Sequence, residues 1–130
     1  MIEIQNVSKN FGEVKAVDSI TARIEEGHVF GLIGTNGAGK STLMRLMCGV
    51  MKPEAGKITV DGAPVYDNPE AKSRIFYISD DQYFFKSGTP KDMLHLYRTY
   101  YPAFDAEKWK ELTGKFGLDI SRKINTFPRE

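Results

Sequence analysis

The chain has 130 residues, a formal net charge of +1 and an isoelectric point near 7.8, with 41% hydrophobic and 27% charged residues. Such a composition is typical of a folded globular protein and argues against disorder. The near-neutral charge gives no general electrostatic reason to expect a nucleic-acid partner. No apolar run reaches the length that spans a bilayer, and the single cysteine, Cys48, excludes an internal disulfide.

The first residues contain no basic segment followed by an apolar core, so we expect no secretory signal and a cytosolic compartment. Ile2, Ile4 and Val7 lie among polar residues and predict a short strand. Residues 10–13, Asn-Phe-Gly-Glu, predict a turn, and the alternating pattern of residues 17–24 predicts a second strand.

The middle of the chain predicts a strand, a loop and a helix in succession. Residues 29–33 are continuously apolar, which is typical of a strand buried on both faces. A glycine-rich loop occupies residues 34–39. Apolar residues then recur at helical spacing from Leu43 to Val50, and Gly49 and Pro53 limit that helix.

The rest of the chain becomes helical. We expect strands at residues 57–60 and 75–78, the first closed by an Asp-Gly turn and the second by a polar loop. A helix at residues 91–100 should follow Pro90, with Thr89 as its N-cap. A further helix is predicted for residues 105–116, ended by Gly117. The order of elements indicates an α/β protein.

The glycine-rich loop carries a motif of fixed spacing. Residues 34–42 read Gly-Thr-Asn-Gly-Ala-Gly-Lys-Ser-Thr and match G-x-x-x-x-G-K-[ST]. Glycines let successive backbone N–H groups converge on phosphate oxygens, because they carry no side chain and permit positive φ. The helix that begins near Lys40 adds its unpaired N–H groups and positive dipole end.

We therefore predict a phosphate-binding loop rather than a glycine-rich turn that binds nothing. Lys40 should contact the β- and γ-phosphates, Ser41 should ligate Mg²⁺, and Thr42 should support the phosphates. The predicted binding residues are Gly34, Thr35, Asn36, Gly37, Ala38, Gly39, Lys40, Ser41 and Thr42.

Several segments resemble the ATPase subunits of ABC transporters. Residues 37–43 are similar to the Walker A motif of that family, and residues 4–9, Phe11-Gly12 and residues 16–18 resemble its opening. A second group resembles a later family segment: Cys48-Gly49, Pro53, Gly56, Ile58 and Asp61-Gly62. Residues 77–81 and the tail more closely resemble ATPases that serve ABC-2-type exporters in bacteria. The similarity runs from Ile2 to about Phe127.

The resemblance implies an incomplete α/β P-loop NTPase of the ABC ATPase type. Residues 1–89 would form the N-terminal part of the core, with an antiparallel β subdomain, and residues 90–130 would begin the helical subdomain. It further implies binding of ATP and Mg²⁺ to energise export through a transmembrane permease, beside a second, identical or different, ATPase subunit. The protein would be cytoplasmic, held at the inner face of the cell membrane by the permease, with no nucleic-acid partner.

Two further residues take nucleotide-binding roles from the resemblance. Phe11 occupies the position of an aromatic residue that stacks on adenine, and Val17 would pack beside it. Stacking on a ring face is worth about 1–3 kcal/mol by analogy with bases on aromatic side chains. The alternative is that Phe11 only anchors the turn in the core.

The family usually has Gln in the loop after residues 75–78, where it senses Mg²⁺ and the transmembrane partner. Asp80 aligns with that position, and a carboxylate can still contact the metal or its water. Gln82 is the second choice. The alternative is that Asp80 and Asp81 belong to a solvated acidic turn.

The tail, residues 127–130, lies where an LSGGQ-like signature should begin and does not show it. The Walker B strand, the catalytic Glu and the switch His would follow, so the resemblance assigns no catalytic residue here. It implies ATP hydrolysis by a longer protein rather than by these 130 residues. His28 and His95 are expected to be structural.

Two other interpretations stay open: a nucleotide-binding remnant without hydrolysis, and a soluble ABC ATPase that acts on DNA or ribosomes. A P-loop kinase is disfavoured by Phe11 and by the ABC-like segment at residues 49–62.

Residues 29–33 would form an unpaired apolar edge, which predicts poor solubility. An aromatic group would either dock the permease or pack within the helical subdomain: Tyr83, Phe84, Phe85, Tyr97, Tyr100, Tyr101 and Phe104.

Overall fold

A computed structural model of the chain describes residues 1–79 and 84–127. The chain forms two compact units, Met1–Ile78 and Ser79–Glu130. The first unit holds a four-stranded sheet and the helix that follows the glycine-rich loop. The second unit is helical in its described part. The assignment of residues 1–89 and 90–130 to family subdomains stays a prediction.

The sheet is built around an antiparallel hairpin. Strands β1 (Ile2–Phe11) and β2 (Val14–Ile24) pair in antiparallel register, and Gly12, with φ of +60°, lies in the turn between them. Strand β3 (Ala55–Val60) pairs with the other edge of β1, and β4 (Ala63–Pro64) pairs with β3. The sheet order is therefore β2-β1-β3-β4. The predicted strands at residues 2–7, 17–24 and 57–60 are confirmed.

Helix α1 (Lys40–Met47) confirms the helix predicted after the loop. Its Leu46 is 1% exposed and packs with the sheet residues. The buried cluster consists of apolar side chains from β1, β2, α1, β3 and the segment after β4: Ile4, Val7, Val17, Leu46, Ile58, Val60 and Val65. The core of the first unit therefore holds α1 against the sheet, and α1 follows directly on the glycine-rich loop.

Two predicted strands are wrong. Residues 29–33 and 75–78 form no strand, and no strand of the described residues pairs with either segment. Ile33 is 95% exposed, Val29 is fully exposed, and Phe76 is 66% exposed. An apolar run becomes a strand only when a neighbour accepts and donates its backbone hydrogen bonds. Helix α2 (Pro69–Lys72), capped by Asn68, and strand β4 were not predicted.

The helices of the second unit are confirmed. Helix α3 (Pro90–Tyr100) begins with a capping box between Thr89 and Asp92, and helix α4 (Ala106–Lys115) begins at the N-cap Asp105. Gly117, with φ of +60°, follows α4, and a 3-10 helix spans Ile124–Thr126. No helix in the described ranges is long and apolar enough to cross a membrane.

Candidate phosphate-binding loop

The glycine-rich loop owes its path to two glycines in the left-handed region. Gly37 has φ of +83° and Gly39 has φ of +84°, values that cost a residue with a side chain roughly 1–2 kcal/mol. Between them, the Ala38 N–H donates to the Thr35 carbonyl oxygen at 3.2 Å. The loop therefore curls tightly before it enters α1.

Gly39 is also required by its neighbour in the sheet. A Cβ placed on Gly39 would lie 2.0 Å from the Ala16 carbonyl oxygen of β2. The Val17 Cγ2 atom would lie 3.7 Å away. The last glycine of the motif thus lets the loop pass directly against the β2 backbone. This contact was not predicted, because no local sequence signal connects Ala16 with Gly39.

The N-terminus of α1 is left without a side-chain cap. Its N-cap residue is Gly39, which has no side chain to accept a hydrogen bond, and the first turn contains no acidic residue. The first N–H groups of a helix have no partner within the helix and carry the positive end of its dipole. Backbone donors and dipole together favour an anion at this end.

Lys40 folds back onto the loop. Its Nζ donates to the carbonyl oxygens of Gly34 and Thr35, each at 2.7 Å. The ammonium group is thus held at the start of the loop by two neutral acceptors. The Ser41 residue is exposed and Thr42 is half-buried, so the two hydroxyl-bearing residues of the motif follow directly on the helix.

The two predicted adenine neighbours differ in exposure. Phe11 lies at the end of β1 and is 47% exposed, so part of its surface is accessible to a ligand. Val17 is only 5% exposed and belongs to the core cluster, beside Gly39. Their contact with adenine stays a prediction.

A lysine close to Phe11 was missed from the sequence. The Lys9 Nζ lies 5.7 Å from the centroid of the Phe11 ring and forms an ion pair with Glu54 at 3.5 Å. Lys9 and Phe11 are two residues apart on β1, and side chains with this spacing share one face of a strand. That spacing was the available signal for the pair, whereas Glu54 is distant in sequence and carried none.

The remaining predicted residues lie elsewhere. Asp80, Asp81, Gln82 and Tyr83 lie outside the described residues, and so do Pro128, Arg129 and Glu130. His28 is exposed, with its Nδ1 atom 3.0 Å from the Glu26 carbonyl oxygen, and His95 lies in α3. Within residues 1–79 and 84–127, no group of three or more His, Cys, Asp or Glu side chains is placed to hold a metal ion.

The aromatic group of the second unit is partly packed and partly exposed. The Tyr97 ring lies 5.5 Å from that of Tyr101 and 5.8 Å from that of Phe104, measured between centroids. Tyr100 is 71% exposed and Tyr101 is 51% exposed. Packing within the unit therefore accounts for Tyr97 and Phe104, while Tyr100 offers its ring to solvent.

The fold and the loop place the chain in the P-loop NTPase class, of the ABC ATPase type. A solved structure described as the ATP-binding subunit of an ABC transporter superimposes with a TM-score of 0.82 and 27% identity. The superposition covers 98% of this chain and 55% of that one. The profile of the family described as ABC transporter matches residues 17–127, so the chain belongs to the ABC transporter family.

Curated relatives agree with the family. The ABC transporter ATP-binding protein YtrB of Bacillus subtilis (strain 168) is 31% identical over 95% of this chain and 42% of its own length. The ribose import ATP-binding protein RbsA 2 of Rhizobium meliloti (strain 1021) is 51% identical over 50% of this chain and 13% of its own length. The Nod factor export ATP-binding protein I of Sinorhizobium fredii is 40% identical over 77% of this chain and 29% of its own length.

The chain thus spans less than half the length of these curated relatives. Their names include both import and export, so membership of the family leaves the direction of transport open.

Proposed function

We propose that this chain is the ATP-binding part of the ATPase subunit of an ABC transporter, with residues 34–42 as the site for the phosphates of ATP and for Mg²⁺. The observation that carries the proposal is the loop itself. Two left-handed glycines, an uncapped helix end and a lysine ammonium meet there, with no acidic residue in the first turn of α1. Every one of these features favours a polyanion.

The residues present fit the proposed ligands. A Cβ at Gly34 would lie 3.2 Å from the Ala38 Cβ and 3.7 Å from the Lys40 Cδ, so a side chain at this position would crowd the loop. Lys40 would exchange its two carbonyl acceptors for phosphate oxygens, since hydrogen bonds to a charged acceptor are roughly twice as strong. Ser41 supplies a hydroxyl for Mg²⁺, which neutralises phosphate charge when bound.

We infer that the whole protein, together with a second ATPase subunit, hydrolyses ATP and energises a transmembrane permease at the inner face of the cell membrane. We propose export as the direction, supported by the resemblance of residues 77–81 to exporter ATPases. Asp80 is the proposed additional contact to Mg²⁺, and Phe11 the proposed platform for adenine.

Nucleotide binding is tested by calorimetric titration of the 130-residue chain with Mg-ATP and with Mg-tripolyphosphate. We expect both ligands to bind, and Lys40→Ala to weaken both at least ten-fold, since its ammonium group is bonded to two carbonyl oxygens of the loop and would bond to the phosphates instead. Lys110→Ala on the exposed surface of α4 is the matched control and should bind like the wild type. A wild type without affinity, or a Lys40→Ala variant with full affinity, would contradict the proposal.

Hydrolysis is tested by reading the coding sequence beyond residue 130. A signature motif, a strand ending in Asp-Glu and a later His would support an active ATPase. A confirmed stop codon would instead favour a nucleotide-binding chain that does not hydrolyse ATP. A neighbouring permease gene would support transport, and its absence would favour a soluble ABC ATPase.

A further inference from the structure

We propose that Lys9 is a positioning residue for the nucleotide base, holding one face of the Phe11 ring so that the opposite face receives adenine. The inference deepens the proposed function and rests on it. Lys9 and Phe11 would bind the base of the nucleotide, whereas residues 34–42 would bind its phosphates. The ligand class is accordingly a nucleotide with an intact base, distinguished from a base-free polyphosphate.

The contact between cation and ring is well defined. Lys9 Nζ lies 5.7 Å from the ring centroid of Phe11, within the range of about 6 Å in which an ammonium group is attracted to an aromatic face. The Lys9 side chain is 20% exposed, so most of its surface lies against the protein. Phe11, in contrast, remains 47% exposed at the end of its strand.

Lys9 is itself held from the other side. Glu54 Oε1 lies 3.5 Å from the Lys9 Nζ, and Glu54 Oε2 accepts a hydrogen bond from Asn10 Nδ2 at 2.8 Å. The Glu54 N–H donates to the Ser8 carbonyl oxygen at 2.9 Å. Glu54 is therefore fixed to β1 through its backbone N–H and both of its carboxylate oxygens. Its carboxylate anchors the Lys9 ammonium group over the Phe11 ring.

The fixed position of the Lys9 ammonium group bears on the orientation of the Phe11 ring. The second torsion of a phenylalanine side chain is broad, and Phe11 lies beside the turn at Gly12 with about half of its surface in solvent. The attraction favours ring orientations that turn a face toward Lys9. A planar base then meets a ring whose plane is already set, which lowers the ordering cost of stacking.

The test separates base from phosphates. Lys9→Met removes the charge and keeps an unbranched apolar side chain. We expect it to raise the dissociation constant for Mg-ATP about two- to five-fold, with that for Mg-tripolyphosphate unchanged. Lys9→Arg retains a cation over the ring and should restore ATP binding. The matched control is Lys15→Met, which removes an exposed lysine from β2 of the same hairpin and should leave both constants unchanged.

Several results would overturn the inference. ATP binding by Lys9→Met could equal or exceed that of the wild type, or both ligands could weaken equally, which would indicate only a change of net charge. Glu54→Gln provides a second variant if Lys9→Met does not fold: it should weaken ATP binding in the same direction by a smaller factor, and no change would count against the inference. A wild type that binds neither ligand would reject the phosphate site as well, so the two failures are distinguishable.

Discussion

Residues 29–33 and residues 58–60 are both short runs that contain Val and Ile, but only the second run forms part of a strand. Residues 58–60 lie in β3, paired with β1 on one side and β4 on the other, and all three are buried. Residues 29–33 form no strand and are exposed throughout, with Ile33 at 95%. The run at 58–60 has a neighbouring strand on each side, whereas no strand of the described residues pairs with 29–33.

The comparison shows which interactions stabilise the first unit. Ile58 belongs to the cluster that α1 covers with Leu46, and that cluster lies between the sheet and the helix. The segment at 29–33 leads into the glycine-rich loop without contributing a residue to the cluster. The loop is therefore positioned from its far end, by α1 and by the contact of Gly39 with β2.

The largest expected effect comes from one substitution made in each run. Ile58→Ala should lower the free energy of unfolding of the first unit by about 2–5 kcal/mol, because it leaves a cavity in the core. Ile33→Ala should change it by less than about 0.5 kcal/mol, since the side chain is already in solvent. Urea denaturation followed by far-UV circular dichroism measures both. An equal loss of unfolding free energy in the two variants would contradict the difference in exposure between Ile58 and Ile33.

A second pair of variants compares the two left-handed glycines. Gly37→Ala and Gly39→Ala both force a side chain into positive φ, at roughly 1–2 kcal/mol each. Only Gly39→Ala also meets the Ala16 carbonyl oxygen, whereas a Cβ at Gly37 has nothing within 4 Å. We expect Gly39→Ala to lose measurable ATP binding and Gly37→Ala to keep part of it, as measured by calorimetry. The reverse order would show that the loop does not pass against β2.

A third prediction concerns solubility. The apolar residues at 29–33 are exposed side by side, and such a segment invites association between chains. Val29→Lys should therefore raise the monomeric fraction in size-exclusion chromatography with light scattering. Val50→Lys, which places the same charge at an exposed valine outside this segment, serves as the control and should have a smaller effect. Similar gains from both would point to net charge alone.

The second unit should show a small dependence of its stability on pH, through Asp92. Hydrogen bonds from the Thr89 backbone N–H and hydroxyl hold the pKa of Asp92 below its usual range. A depressed pKa stabilises the fold above the unfolded value of about 3.9, and this stabilisation is lost as pH falls through the folded value. Urea unfolding followed by Trp109 fluorescence should therefore show a loss below about pH 4 that is smaller in Asp92→Asn. An unchanged pH profile in that variant would contradict the role of the capping box.

The elements that the sequence predicts correctly are those specified by local chemistry. Thr89 and Pro90 mark the start of α3, Asp105 marks the start of α4, and Gly12 allows the turn of the hairpin. The two wrong predictions, the strands at residues 29–33 and 75–78, depend on whether a neighbouring strand is present. The residue types within these two segments do not indicate whether another strand lies beside them. Helix α2 was missed because its four residues are too few for a periodic pattern.

In the candidate site, too, the local features were predicted from the sequence and the contacts between distant segments were not. The motif of residues 34–42 predicts the left-handed glycines and the helix that begins at Lys40, because both follow from the residue types. The fit of Gly39 against Ala16 and the ion pair of Lys9 with Glu54 depend on segments distant in sequence. Such contacts arise from the sheet topology, which a single sequence does not display.

Nucleotide binding by residues 34–42 is tested most directly by a titration of the ¹⁵N-labelled chain with Mg-ATP, followed through its backbone amide resonances. We expect the largest shifts at residues 37–42, because their N–H groups would donate to the phosphates, and a loss of these shifts in Lys40→Ala. Shifts confined to the second unit, or none at saturating nucleotide, would contradict the claim that this loop binds ATP.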